Sequence, residues 1–166
     1  MIINEGRLEV RWYRPSDMVQ LVGLHQCCLP KEGWTSKDFW KFVHKAGTTN
    51  ILKVLSDDQG KIVYGTLLYT LGPGECRLRR VCVWPDYRRR GLGTFMVHTT
   101  MTSPRSSLKN RNFVAKVKEA DVTAQLFLRK LDFTFNAKEA RAQDDEGKDY
   151  YVFRFKKPEF AALATG

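Results

Sequence analysis

The stretch VCVWPDYRRRGLGT, residues 81–94, decides how this sequence folds. Its first part belongs to CRLRRVCVW, residues 76–84, where Leu78, Arg80 and Cys82 alternate with Arg79, Val81 and Val83. This alternation predicts a strand, and Pro85 ends that strand because proline cannot donate a ladder hydrogen bond. From Gly93 the sequence TFMVHTTM has a helical pattern. Gly91 and Gly93 therefore lie in a turn between a strand and a helix N-terminus, where backbone N–H groups converge and favour an anion.

Three arginines at this turn, Arg88, Arg89 and Arg90, add positive potential to the helix dipole. A diphosphate is the natural ligand. The turn lacks the Lys-Ser/Thr ending of a nucleotide P-loop and has one glycine fewer than the dinucleotide fingerprint, so it matches neither motif. A plain structural turn would also use two glycines, and this alternative stays open when the turn is taken alone.

On the N-terminal side of this stretch, LEVRWY predicts a strand and RPSD begins a helix capped at Ser16. The segment SKDFWKFVHK predicts a second short helix with Phe39 and Trp40 on the same side. NILKVLS and KIVYGTLLYTL flank the turn DDQG, which predicts an antiparallel hairpin. The strand that ends at Pro85 follows this hairpin.

On the C-terminal side, residues 113–117 predict a buried strand and residues 122–131 a helix with its cap near Asp121. Residues 134–141 and 150–155 predict a final hairpin. The element order β-α-α-β-β-β-α-β-α-β-β predicts a mixed α/β (α+β) fold, with a mostly antiparallel central sheet and flanking helices.

Length and composition indicate one globular domain over residues 1–157, followed by a C-terminal tail at 158–166. The net charge of +10 favours anionic partners, including ribosomal or RNA surfaces, although solubility is an equally good explanation. We expect a cytoplasmic monomer or homodimer that does not span a membrane. The four cysteines have no zinc-type spacing, so we expect no metal and reduced, mostly buried thiols.

The same stretch resembles the signature V-x-P-x-x-Q/R-x-x-G-x-G/A of the GNAT superfamily of N-acetyltransferases, with Arg88, Gly91 and Gly93 at its fixed positions. Residues 121–133, DVTAQLFLRKLDF, resemble the second GNAT signature, N-x-x-A-x-x-x-Y-x-x-x-G-F. Three positions depart from that second signature. They hold Asp121 instead of Asn, Leu128 instead of Tyr and Asp132 instead of Gly.

The resemblance implies acetyl-CoA as cosubstrate, with its pyrophosphate held by the turn and its pantetheine arm lying along the preceding strand as an extra strand. The residues implied at the turn are Arg88, Arg89, Arg90, Gly91, Leu92, Gly93 and Thr94. The strand residues implied are Val81, Cys82 and Val83, and those implied on the other side of the coenzyme are Asp121, Phe127 and Leu128. Alternation pairs the Cys82 side chain with Leu78, which favours a buried inert thiol.

Acetyl transfer to an amine needs a base for the ammonium and an acid for the leaving thiolate. GNAT relatives use the signature Tyr as acid and often a strand Glu as base, but here Leu128 and Lys116 occupy those positions. We therefore consider four substitutes, each of which could equally be structural. They are Glu75, Glu119, Tyr150 and Tyr151.

The segment 14–43 and the end GKDYYVFRF resemble N-terminal protein acetyltransferases, including those that act on a ribosomal-protein alanine. An α-amine of a protein or peptide is therefore the leading acceptor. Acetylation of a small amine, such as a polyamine, an amino acid or an aminoglycoside, stays open as the competing activity. The missing acid and base also leave open a non-catalytic acetyl-CoA-binding module.

Overall fold

The structure, a computed structural model, describes residues 7–102, 108, 111–135, 142–143 and 149–155. The chain divides into two compact units, Met1–Arg111 and Asn112–Gly166. The boundary between a domain at 1–157 and a tail at 158–166 stays a prediction, since the tail lies outside the described residues.

The first unit contains four strands in the order β1-β2-β3-β4, all paired antiparallel. Their bounds are Glu9–Trp12, Thr49–Ser56, Val63–Gly72 and Glu75–Val83. The hairpin predicted around DDQG is confirmed, and Gly60 takes the left-handed conformation that its turn requires, with φ 68°. A register shift opposite Leu68 and Tyr69 leaves Arg79 as an extra residue in β4, which makes a β-bulge there.

Three helices belong to this unit: α1 at Met18–Cys28, α2 at Ser36–Val43 and α3 at Leu92–Thr102. The prediction that Ser16 caps α1 is wrong, because Pro15–Asp17 forms a 3₁₀ turn and Asp17 is the N-cap residue. The Asp17 carboxylate accepts hydrogen bonds from the Arg11 guanidinium and, at 2.6 Å, from the Arg14 N–H. This buried ion pair fixes the path of the chain into α1.

Side chains from α1 and α2 pack on one face of the sheet and build a core with Leu68 of β3. Gly65 is three residues before Leu68 in the same strand and therefore faces the other side of the sheet. There it lies against Met96 of α3. Phe39 of α2 is buried in the first core, but Trp40 is 61% exposed, so these neighbours do not share a side as predicted. Adjacent residues are about 100° apart on a helix.

The second unit contains β5 at Asn112–Lys118, α4 at Val122–Lys130 and three further strands. These are β6 at Thr134–Phe135, β7 at Ala142–Gln143 and β8 at Asp149–Phe155. Strands β5, β6 and β7 each pair antiparallel with β8. The predicted pairing of 134–135 with the last strand is confirmed, while 136–141 lie outside the described residues. The mixed α/β class with mostly antiparallel pairing is confirmed.

Candidate functional site

Residues 88–94, here called the 88–94 loop, comprise the end of the connection from β4 and the first residues of α3, and they present backbone N–H groups at the start of that helix. Arg89 and Gly91 both have left-handed backbone conformations, with φ 59° and 78°. The first hydrogen bond of α3 runs from the Phe95 N–H to the Gly91 carbonyl at 2.8 Å. The N–H groups before Phe95 therefore have no partner within the helix, and they concentrate partial positive charge at this loop.

The same loop has the space and the charge that a diphosphate requires. A Cβ added to Gly91 would meet no atom within 4 Å, so the loop is open on the side that a ligand would approach. Nε of Arg88 donates to the Val83 carbonyl at 3.0 Å, and the Arg90 guanidinium lies 5.7 Å from the centre of the Tyr87 ring. The loop contains no carboxylate. The residues of the 88–94 loop therefore fit the pyrophosphate of a coenzyme.

Strand β4 carries the residues predicted to lie along the pantetheine arm. The Cys82 side chain is buried, whereas Val81 and Val83 are half-buried. Leu78 is also buried, but the predicted alternation that pairs it with Cys82 is wrong, because the bulge at Arg79 places Leu78 opposite Tyr69 and Cys82 opposite Thr66, which lie on opposite faces of β3. Of the four cysteines, all free, Cys76 and Cys82 are buried as expected, while Cys27 is exposed and Cys28 half-buried.

Helix α4 begins as predicted at Asp121, whose carboxylate accepts the Ala124 N–H at 3.0 Å. Phe127 is half-buried on this helix. Leu128 is 4% exposed, so its side chain is buried. Lys116, in β5, is exposed. Neither Leu128 nor Lys116 supplies the acid or the base that GNAT relatives carry at these positions.

Two of the four catalytic candidates lie in contact. The Tyr151 hydroxyl donates to Glu119 Oε1 at 2.6 Å, a short bond of the kind that a charged acceptor gives. Phe135 packs edge-on against the Tyr151 ring, with centroids 4.9 Å apart, and limits its movement. The side chains of Glu119 and Tyr151 are thus held together, 32 residues apart in sequence.

The other two candidates are placed differently. Glu75, at the start of β4, pairs with the Arg77 guanidinium at 3.1 Å. Tyr150 is half-buried in β8, opposite Lys118 in the strand register. The pair of candidates that the structure brings together is therefore Glu119 and Tyr151.

Arg80 of β4 fastens the connection between α1 and α2, which sequence reasoning missed. Its guanidinium lies 4.6 Å from the Trp34 ring centre and bonds the Glu32 carbonyl and carboxylate at 3.4 and 3.5 Å. Beneath it His25 is fully buried, and this burial lowers the pKa of His25 to about 4. Arg80 stands 48 residues from Glu32, so no local pattern reveals the contact.

Comparison with known proteins identifies the family. Residues 48–135 match the family described as the acetyltransferase (GNAT) domain. The chain belongs to the GNAT acetyltransferases. It is accordingly an acyl-CoA-dependent N-acetyltransferase, which transfers an acetyl group to an amine, and its family uses acetyl-CoA as donor. No curated protein sequence matches the chain significantly.

Solved structures share the fold at low sequence identity. The ribosomal-protein-S18-alanine N-acetyltransferase from Escherichia coli is 16% identical, with a TM-score of 0.66, covering 90% of this chain and 93% of its own. The PaiA N-acetyltransferase from Thermoplasma acidophilum, in complex with coenzyme A, is 11% identical with a TM-score of 0.70, covering 91% and 99%. A spermidine N-acetyltransferase chimera from Vibrio cholerae and hSSAT is 10% identical with a TM-score of 0.69, covering 89% and 94%.

The described part of the chain shows neither a metal-binding cluster nor a membrane-spanning helix. Within it, no three His, Cys, Asp or Glu residues group in a way that could hold a metal ion. Among the helices that the structure describes, none has the length and apolar character that crossing a membrane requires.

Proposed function

We propose that this GNAT enzyme acetylates the α-amine of a protein or peptide N-terminus and that its 88–94 loop binds the pyrophosphate of acetyl-CoA. The observation that carries the proposal is the loop itself, with two left-handed residues, three arginines and the N–H groups that open α3 and have no partner within that helix. When bound, acetyl-CoA supplies an acetyl group activated as a thioester.

Each part of the coenzyme has proposed partners in the chain. The loop residues are Arg88, Arg89, Arg90, Gly91, Leu92, Gly93 and Thr94. The backbone of Val81, Cys82 and Val83 takes the pantetheine arm as an added strand. Asp121, Phe127 and Leu128 complete the proposed lining. Leu128 contributes apolar packing, because its buried aliphatic side chain has no proton to give.

We assign proton transfer to Glu119 and Tyr151. The acceptor ammonium gives its proton to the Tyr151 oxygen as the Tyr151 hydroxyl proton passes to Glu119 Oε1, along the 2.6 Å hydrogen bond that already joins them. The same hydroxyl then protonates the leaving thiolate and takes up the second proton of the attacking nitrogen in exchange, while Glu119 releases the first proton to solvent. A thiol of pKa about 8.5 is a tolerable leaving group, so a weak acid is sufficient.

The proposal of a peptide acceptor rests on the resemblance of segment 14–43 to N-terminal protein acetyltransferases. Within this segment, the connection between α1 and α2 is held against β4 by Arg80, through Trp34 and Glu32. The net charge of +10 also slows the approach of polycationic small amines. The small-amine alternative retains support from the fold shared with the spermidine enzyme.

A product assay tests the acceptor class. The purified enzyme receives acetyl-CoA and matched peptides with a free or a blocked N-terminus, each with and without an internal lysine, beside polyamines, amino acids and aminoglycosides. We expect acetylation of free N-termini only, located by fragment masses, and none with the Gly91→Glu variant. Acetylated polyamines with unmodified peptides would contradict the peptide assignment and support the small-amine activity.

The remaining proposals concern where the enzyme works. We place it in the cytoplasm, as a monomer or homodimer, near ribosomal or RNA surfaces to which a charge of +10 is attracted. Sedimentation with purified ribosomes at low and high salt tests this, since electrostatic association must weaken as salt rises.

A further inference from the structure

Two cysteines and an arginine meet where α1 ends beside the end of β4. Cys28 is the last residue of α1 and is half-buried, while Cys82 of β4 is buried. The Cys28 Sγ lies 3.4 Å from the carbonyl oxygen of Val83, the residue that follows Cys82, so the two cysteines are neighbours, and a hydrogen bond between their sulfurs shifts the pKa of both. Nη2 of Arg88 donates to the Cys28 Sγ at 3.1 Å. Cys28 therefore has both a second thiol and a cation in direct contact.

These contacts favour a thiolate at Cys28 and a thiol at Cys82. The hydrogen bond from Cys82 lowers the pKa of Cys28 and Arg88 lowers it further, so that this pKa is about 6 although burial opposes the charge. The same bond, together with burial, raises the pKa of Cys82 well above its ordinary value, although Arg80 and Arg88 both favour its thiolate. At neutral pH one sulfur is a nucleophile and its neighbour holds a proton.

We propose that Cys28 is a peroxide-reactive thiolate and that it forms a reversible disulfide with Cys82. In the first step the Cys28 Sγ attacks one oxygen of hydrogen peroxide, so that an S–O bond forms, the O–O bond breaks and hydroxide leaves. In the second step the Cys82 Sγ attacks the Cys28 sulfur, and the S–O bond breaks. The Cys82 proton leaves with that hydroxyl as water, and peroxide has gained two electrons from the sulfur pair.

The geometry suits this pair better than any other among the four cysteines. Sulfur atoms already in hydrogen-bond contact need to approach by roughly 1–2 Å to reach an S–S bond of about 2.05 Å. Burial raises the pKa of Cys76 to about 12, so Cys76 is not the thiolate that reacts with peroxide. Cys27 precedes Cys28 on the helix and is exposed, which makes it the matched control.

Peptide mapping of the full chain tests the proposal. Reduced protein is treated with hydrogen peroxide, blocked with iodoacetamide and digested with trypsin, which places Cys28 in peptide 12–31 and Cys82 in peptide 81–88. We expect these two peptides to be linked, the link to be reversed by dithiothreitol, retained in Cys27→Ser and lost in Cys28→Ser. A link through Cys27, or no disulfide at all, would overturn the proposal.

A second measurement needs no oxidation and no buried substitution. The rate of iodoacetamide alkylation of Cys28 is followed against pH in the Cys27→Ser variant. We expect the rate to reach half its maximum near pH 6, whereas a midpoint near the ordinary thiol value of about 8.5 would overturn the proposal. Neither experiment contains acetyl-CoA, so both outcomes are independent of the proposed coenzyme site.

Discussion

The 88–94 loop and helix α4 correspond to two signatures of one family, and they differ in how much of each remains. The loop keeps Arg88, Gly91 and Gly93, whereas the second signature departs at Asp121, Leu128 and Asp132. Two of these departures keep a residue that suits the local backbone. Asp121 caps α4, as an Asn can, and Asp132 takes a left-handed conformation, which Gly also adopts readily, with φ 62°.

Only Leu128 loses the chemistry of its position, since it replaces a phenol by an alkyl group. A position that must cap a helix or adopt a left-handed conformation accepts only the few residue types that can do so. Proton transfer needs one suitable side chain within reach, which another element can supply, and we propose that Tyr151 supplies it here. Substitutions in the loop and in the second unit distinguish these two kinds of requirement.

The largest effect is expected from Gly91→Glu in the loop. A carboxylate next to a diphosphate costs several kcal/mol, so acetyl-CoA affinity measured by calorimetry falls at least about 100-fold. Gly47→Glu is the matched control, because Gly47 also has a left-handed conformation, φ 74°, and open space around its Cβ position. Equal acetyl-CoA affinity in both variants would show that the 88–94 loop does not bind the coenzyme.

Tyr151→Phe is expected to lower kcat about 100-fold with little change in the acetyl-CoA dissociation constant, since general acid–base groups contribute in that range. Glu119→Gln has a similar effect, and the double variant is no worse than either single one because the two residues act as one pair. Tyr150→Phe, the neighbouring phenol in β8, is the control. Activity lost equally in Tyr150→Phe would argue against the assignment.

Restoring the family's residue with Leu128→Tyr is expected to give no gain in turnover. Position 128 is 4% exposed, so a larger ring with a buried hydroxyl overpacks the core and lowers the free energy of unfolding by about 1–3 kcal/mol. Urea denaturation measures the stability and initial rates the turnover. A clear rise in kcat would show that this position still serves as the acid.

The smallest effect is expected at Asp132, which is exposed and left-handed. Asp132→Val lowers the free energy of unfolding by about 1–2 kcal/mol, because a β-branched residue is strained at positive φ. Asp132→Gly raises it by up to about 1 kcal/mol and leaves kcat unchanged. Equal free energies of unfolding for the Val and Gly variants in urea denaturation would show that position 132 does not require a left-handed conformation.

Local signals explain what the sequence predicts correctly. The strand, loop and helix at 81–102 depend on neighbouring residues, and so does the cap at Asp121, whose partner is three residues away. The start of α1 is misplaced because Arg11, outside the predicted helix, binds Asp17. Contacts that depend on strand register or tertiary packing leave no pattern in the local sequence, so they could not be predicted. Three such contacts support the proposals: Glu119 with Tyr151, Arg80 with Trp34, and Cys28 with Cys82.

The central claim, that the backbone of the 88–94 loop binds acetyl-CoA, is tested most directly by nuclear magnetic resonance. Acetyl-CoA is titrated into ¹⁵N-labelled protein and the amide shifts are followed residue by residue. The account predicts that the largest changes fall on the N–H groups of Gly91, Leu92, Gly93 and Thr94, whose donors open α3. Saturable binding that leaves these four amides unchanged would contradict it.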